Sequence, residues 1–290
     1  MPTSNSSSSN VKTKSRVLLF LILAVCGISL PSLSGSLVFP FSALPTQSTL
    51  LYGFALSLVF LSLSVFLRSR NSLKEYIPVF FAFFTASFAI SVDLLLNIPS
   101  ETISGLVSDM LLSTSIIVGL ILLLTRVSGS SLRSIFVSKG GLKLGVTAGV
   151  AGFLFFALTA IPAAQYLFQG QNLTLDRVIA WLPWILPTVL LNGVREEFLY
   201  RGLFLRKYQP KLGLRTSNLL QAIIFSLSHS VAGVGLNAYT PFISILVVFT
   251  LSLGLTWGYL MQRTDSAIGS ILFHAGSDIP VFLGIFSNLF

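Results

Sequence analysis

Nine mainly apolar stretches follow one another along the chain with only short polar connections between them, which leaves few folds open to it. They lie at 17–30, with a Ser/Gly/Pro extension to about 39, and at 48–67, 76–96, 104–124, 143–166, 178–200, 216–232, 241–262 and 266–288. Most are near the ~20 residues that an α-helix needs to cross a bilayer. In hydrocarbon every backbone polar group must be satisfied within the protein, and a helix does this within one segment. The expected fold is therefore all-α, a polytopic membrane helical bundle with about 8–9 transmembrane helices. Composition agrees, since only 9% of residues are charged, against about 25% in a soluble domain.

Residues 1–15, MPTSNSSSSNVKTKS, offer nothing to bury and are expected to form a disordered polar tail. The first apolar stretch, introduced by Arg16, is expected as a retained membrane helix, because no A-x-A cleavage site follows it. A net charge of +9 raises nucleic acid as a partner, but the basic residues sit in short connections and not on one soluble face, so no nucleic acid is expected. Lys12, Lys14 and Arg16 precede the first stretch, Arg68, Arg70 and Lys74 follow the second, and Arg126, Arg133, Lys139 and Lys143 follow the fourth. Arg206, Lys207, Lys211 and Arg215 follow the sixth, and Arg263 the eighth. The intervening loops, 31–47, 97–103, 167–177 and 233–240, hold Arg177 alone. Because Lys and Arg gather on the cytoplasmic side, this alternation predicts a multi-pass protein with a cytoplasmic N-terminus. The single cysteine, Cys26, can form no intrachain disulfide and no Cys-based metal site.

Within the sixth stretch the apolar run ends in Arg195, Glu196 and Glu197, followed by Arg201. Residues four apart share a helix face, so Glu197 pairs with Arg201, while Glu196 points about 100° away. Its face carries Asn192 one turn earlier and no evident cation. The arrangement suits a carboxylate left free to act as a base, and equally an interfacial charge cluster at a helix end. Asp93, inside the third stretch, reads as a structural residue near the outer interface or paired locally.

Only two histidines exist, His229 and His274, both inside apolar stretches of the same C-terminal third as Glu196. Phe225 precedes His229 by one turn, and Asp278 follows His274 by one turn. Taken singly, each histidine suits a hydrogen-bonded core position better than a base or a ligand. Ionisable groups at membrane depth are costly unless they converge on one another or on a wet cavity, which makes a shared cluster of Glu196, His229, His274 and Asp278 the economical arrangement.

The ordered set Glu196-Glu197-x-x-x-Arg201, Phe225-x-x-x-His229 and His274-x-x-x-Asp278 resembles the three motifs of the type II CAAX prenyl protease family, also called the CPBP or ABI family of intramembrane endopeptidases and bacteriocin-immunity proteins. The resemblance spans about residues 140–285. It implies three regions: the tail 1–15, N-terminal transmembrane helices of unassigned role at 16–139, and a CAAX-protease-like intramembrane catalytic domain at 140–290. It further implies an endopeptidase in which Glu196, with His229 beside it, activates water near the cytoplasmic side. His274 and residue 278 would hold the oxyanion, and Glu197, Arg201 and Asn192 would support the site. The implied partner is a peptide or protein substrate, prenylated or otherwise membrane-associated, in contact with membrane lipid. A non-catalytic immunity or scaffold protein of the same family is the alternative.

Family members that hold the oxyanion with a side-chain amide carry Asn where this chain has Asp278. An ionised Asp cannot donate, so Asp278 is protonated, or orients His274, or joins Glu196, His229 and His274 around a divalent metal such as zinc. The spacing is not H-E-x-x-H, and a metal-free glutamate mechanism with no cofactor is the expectation. At ~1.5 Å per residue, His229 lies too far along a helix starting at 216 to meet His274, so this helix is expected to start near 219–221, with 213–217 in a loop.

Overall fold

The computed structural model describes residues 5–30, 47–96, 102–235 and 240–289, and among these there is no β-strand. Eleven α-helices carry the architecture among the described residues. They are α1 (Asn5–Ile28), α2 (Gln47–Arg68), α3 (Ile77–Leu95), α4 (Ile103–Val127), α5 (Leu142–Leu158) and α6 (Ala160–Leu167). After them come α7 (Leu175–Glu196), a π-helical turn (Glu197–Gly202), α8 (Leu205–Leu212), α9 (Leu214–Gly235), α10 (Thr240–Thr264) and α11 (Ile268–Leu289). The protein is a multi-pass helical membrane protein.

Each of the nine apolar stretches contributes a helix, but the number able to cross is lower than eight or nine. Among the described residues six helices are long and apolar enough, or seven if α5 and α6 form one bent span. The differences have local causes. The apolar part of α1 is the short segment Ser15–Ile28, and its expected extension to 39 lies outside the described residues. In α9 the buried face is partly polar, with Asn218, Gln221, Ser226 and Ser228. Between α5 and α6 the axis turns by 63°. There Thr159 Oγ1 donates back to the Phe155 carbonyl at 2.9 Å, and Pro162 has no N–H to continue the ladder to Leu158.

Two further expectations change. The polar tail 1–15 is helical from Asn5 onward, because α1 extends outward from its apolar part, each added residue gaining one hydrogen bond once a helix is nucleated. No loop precedes α9, which begins at Leu214 and not at 219–221. Gly213 takes a φ of 79°, open to glycine, and is the single residue between α8 and α9. Residues 214–216 remain exposed and burial begins at Ser217, so the extra turn stands clear of the packed bundle. Of the loops 31–47, 97–103, 167–177 and 233–240, only 167–177 lies wholly within the described residues.

Helix α11 packs against α5, α6 and α7, and α9 packs against α10. Small residues let these backbones approach, as in membrane helix pairs generally. A methyl group on Gly149 of α5 would meet the Gly269 carbonyl oxygen at 2.7 Å, and one on Gly193 of α7 would meet the Ile271 carbonyl oxygen at 3.0 Å and the Ala275 nitrogen at 3.3 Å. One apolar core joins α3, the π turn, α8, α9 and α10 through Phe83, Tyr208, Phe225 and Trp257. A second fills the space between α7 and α11 with Trp181, Ile185, Phe282 and Phe286.

Candidate active site

The close approach at Gly193 and Ala275 sets the end of α7 against the first half of α11. It is where the ionisable side chains gather. Glu196 is the last residue of α7, and the backbone then widens into a π turn closed by the Leu203 N–H on the Phe198 carbonyl at 3.1 Å. Such turns often occur at functional positions. Glu196 and Glu197, adjacent in sequence, face different partners across it.

Glu197 and Arg201 are both 0% exposed and form a direct ion pair. The Arg201 guanidinium lies over the rings of Phe225, 4.4 Å from the centroid, and of Trp257 at 4.8 Å. Glu197 Oε1 also accepts a hydrogen bond from His274 Nδ1 at 2.8 Å. A carboxylate oxygen accepts, so the ring proton sits on Nδ1 and Nε2 is the nitrogen turned to the cluster. The His274 ring stacks on Trp257, with centroids 4.0 Å apart and planes 12° off parallel.

His229 comes from α9, where its Nδ1 contacts the Phe225 carbonyl at 2.9 Å. A carbonyl can only accept, so here too Nδ1 carries the proton and Nε2 is directed inward. Both Nε2 atoms face Glu196 Oε2, at 3.8 Å for His229 and 3.6 Å for His274. These separations exceed a direct hydrogen bond, and a water that joins the groups would sit beside them, not between them. Glu196 is 3% exposed, and its Oε2 accepts no hydrogen bond from a described residue. Asp278 Oδ1 lies 3.6 Å from His274 Nε2, and Oδ2 accepts from Asn192 Nδ2 at 2.8 Å.

The structure therefore brings Glu196, His229, His274 and Asp278 together, with Glu197, Arg201 and Asn192 around them. Among the described residues no group of three or more His, Cys, Asp or Glu side chains is arranged to hold a metal ion. His274 and His229 each commit Nδ1 to a protein acceptor, leaving one nitrogen apiece facing the gap.

Residues 178–279 match the family model described as type II CAAX prenyl endopeptidase Rce1-like. This segment is Rce1-like. No curated protein and no solved structure matches the chain. The Rce1-like segment contains all seven residues above, whereas α1 to α6 lie outside it.

Three contributors are absent from the sequence reading. Arg195 Nη2 lies 3.9 Å from Glu196 Oε1, so Glu196 does have a cation on its own helix. Side-chain directions one residue apart diverge, but a long guanidinium bends back. Its contact with Asn192, three residues earlier, carries the usual helical spacing and was the available signal. Ser113 of α4 accepts from Arg195 Nη1 at 3.0 Å. Trp257 supplies the stacking face for His274, and no motif marks it. Asp93, read as a structural residue, is buried near Ser113, with Arg195 close enough to act on it electrostatically.

Proposed function

We propose that the protein is an intramembrane endopeptidase in which Glu196 activates water for peptide-bond hydrolysis, near the cytoplasmic face implied by the basic loops. The observation that carries this reading is a buried carboxylate oxygen without a direct hydrogen-bond donor, facing the inward nitrogens of both histidines at 3.8 and 3.6 Å, so that one water beside the three atoms can touch them all. Amide hydrolysis needs a base for water, donors where negative charge develops, and a proton for the leaving amine. Glu196 takes a proton from the water while His229 Nε2 orients it, and the hydroxide oxygen bonds to the substrate carbonyl carbon. The carbonyl oxygen becomes an oxyanion held by the amide N–H of Asn192 and by His274 in its doubly protonated form, with Nδ1–H on Glu197 and Nε2–H toward the oxygen, while Asp278 orients the ring. Glu196 returns its proton to the nitrogen as the C–N bond breaks, leaving a carboxylate and an amine.

The Rce1-like match supports a peptide substrate that is prenylated at its C-terminus or otherwise membrane-associated. No metal or other cofactor enters this scheme. The test is cleavage of a prenylated CaaX-type reporter by the purified, lipid-reconstituted protein beside Glu196→Ala, with and without a chelator. Glu196→Ala should lower the rate by about 10²–10⁴, and the chelator should leave the wild type unchanged. Chelator-sensitive cleavage would assign the cluster to a metal such as zinc. A folded but inert wild type would overturn the prenyl-peptidase reading and favour a non-catalytic immunity or scaffold role.

A further inference from the structure

A buried polar chain runs from the N-terminal helices into the site, and Arg195 is its junction. Arg195 is 3% exposed and its two terminal nitrogens serve different helices. Nη1 donates to Ser113 Oγ of α4 at 3.0 Å, and Nη2 donates to Asn192 Oδ1 at 2.6 Å. Asp93 of α3 is buried close by, near enough to act on Arg195 electrostatically. Guanidinium nitrogens only donate, so the Asn192 amide must turn its oxygen to Arg195 and its nitrogen to Asp278. A flipped amide would set donor against donor on one side and acceptor against acceptor on the other. The next link, Asn192 Nδ2 to Asp278 Oδ2 at 2.8 Å, leaves Oδ1 beside His274. Arg195 Nη2 meanwhile stays 3.9 Å from Glu196 Oε1. One guanidinium thus sets the orientation of Asn192, the rotamer of Asp278 and the charge environment of Glu196.

We infer that Arg195 is a positioning residue, anchored by Ser113 of α4 with the buried carboxylate of Asp93 of α3 near it, that holds Asp278 and Glu196 in register with His274. The inference rests on the endopeptidase reading and extends it to helices outside the Rce1-like segment. It gives α3 and α4 a role beyond filling the bilayer: they fix the cation around which the catalytic segment is ordered.

The test is steady-state cleavage of the same reporter by the full-length reconstituted protein. The variants are Arg195→Lys, Ser113→Ala, Asn192→Ala and Arg195→Lys/Asn192→Ala, with thermal unfolding of each followed in parallel. Lysine keeps the charge but has one nitrogen and cannot serve Ser113 and Asn192 together. Arg195→Lys should lower kcat roughly 10- to 100-fold, the range for groups that orient a reacting side chain, with KM essentially unchanged because Nη1 and Nη2 are engaged by Ser113 and Asn192 and not by substrate. Ser113→Ala should lower kcat by a smaller factor, again with KM unchanged. The double variant should be no slower than the slower single variant, since both changes break one chain of contacts.

Wild-type cleavage with Arg195→Lys equally active would overturn the inference and leave the endopeptidase reading standing. So would a double-variant loss equal to the product of the single losses. If Arg195→Lys does not fold, Ser113→Ala decides: an unchanged kcat there overturns the inference. An inert wild type removes the endopeptidase reading, and the inference with it.

Discussion

The N-terminal helices and the Rce1-like segment both bury polar side chains, but they satisfy them differently. In α2 and α3 the buried hydroxyls mostly serve their own helix: Ser57 donates to the Gly53 carbonyl at 2.8 Å, Ser87 to Phe83 at 2.9 Å and Ser91 to Ser87 at 2.7 Å. Such bonds need no neighbour and leave helices free to pack by shape. In the Rce1-like segment some buried hydroxyls do the same, as Ser228 does with Ile224, but the segment also buries charged and amide groups that find partners on other helices, as Glu197 does with His274 and Asn192 with Asp278. A charge taken out of water and left unpaired is far more costly than a hydroxyl, so these contacts lock helix positions that apolar packing alone would leave variable. Among the described residues of 5–139, Asp93 is the one buried charged side chain, and it lies near enough to Arg195 to act on it electrostatically.

The largest effect should come from breaking the most buried pair. Arg201→Leu removes the cation facing Glu197 while leaving the carboxylate buried. It should cost about 3–5 kcal/mol, the usual result of orphaning one member of a buried ion pair. In detergent this should appear as a sharp fall in folded yield and in the unfolding midpoint. Replacing both members, as in Glu197→Met/Arg201→Met, should recover much of that stability while cleavage stays lost, because His274 no longer has its Nδ1 acceptor. A double variant no more stable than the single would show that Arg201 acts by packing against Phe225 and Trp257, and not by charge.

A smaller loss is expected from the contact that carries no charge. Gly193→Val would push a side chain into the Ile271 carbonyl and Ala275, and separating α7 from α11 should cost about 1–3 kcal/mol of stability. It should also abolish cleavage, since Glu196 and His274 sit on the two helices being separated. Full activity in Gly193→Val would mean that the two helices can shift without disturbing the cluster, against the rigidity assigned to its cross-helix bonds.

The same contrast explains what could be read from the chain before its structure. The all-helical fold follows from apolar length, and the histidines stood out because polar groups at membrane depth are rare and expensive. Periodicity within one helix links Glu197 to Arg201 and places Asn192 on the face of Glu196. It cannot reveal Arg195 meeting Ser113, 82 residues away, because that contact depends on how α7 lies against α4. Nor does it mark Trp257, whose role exists only once α10 reaches His274. The start of α9 was misplaced for a related reason. Depth along a straight helix does not locate that start, because a single glycine joins α8 to α9 and the first residues of α9 stand exposed.

The smallest expected effect probes the quiet half of the molecule. Ser87 is fully buried and donates to the Phe83 carbonyl, and its Oγ lies 3.0 Å from Ser57 Oγ, which has one proton to share between Ser87 and the nearer Gly53 carbonyl. In Ser87→Ala the Ser57 hydroxyl keeps its bond to the Gly53 carbonyl, so no donor is orphaned, and the Phe83 carbonyl keeps whatever helix bond it accepts. The cost should therefore be at most about 1 kcal/mol, near that of one ordinary hydrogen bond. Cleavage should be unchanged, because nothing in this pair reaches Asp93 or Ser113. A tenfold loss of turnover in a folded Ser87→Ala protein would show that hydroxyl contacts between α2 and α3 also set the site, and the contrast between self-satisfied and cross-braced helices would have to be redrawn further toward the N-terminus.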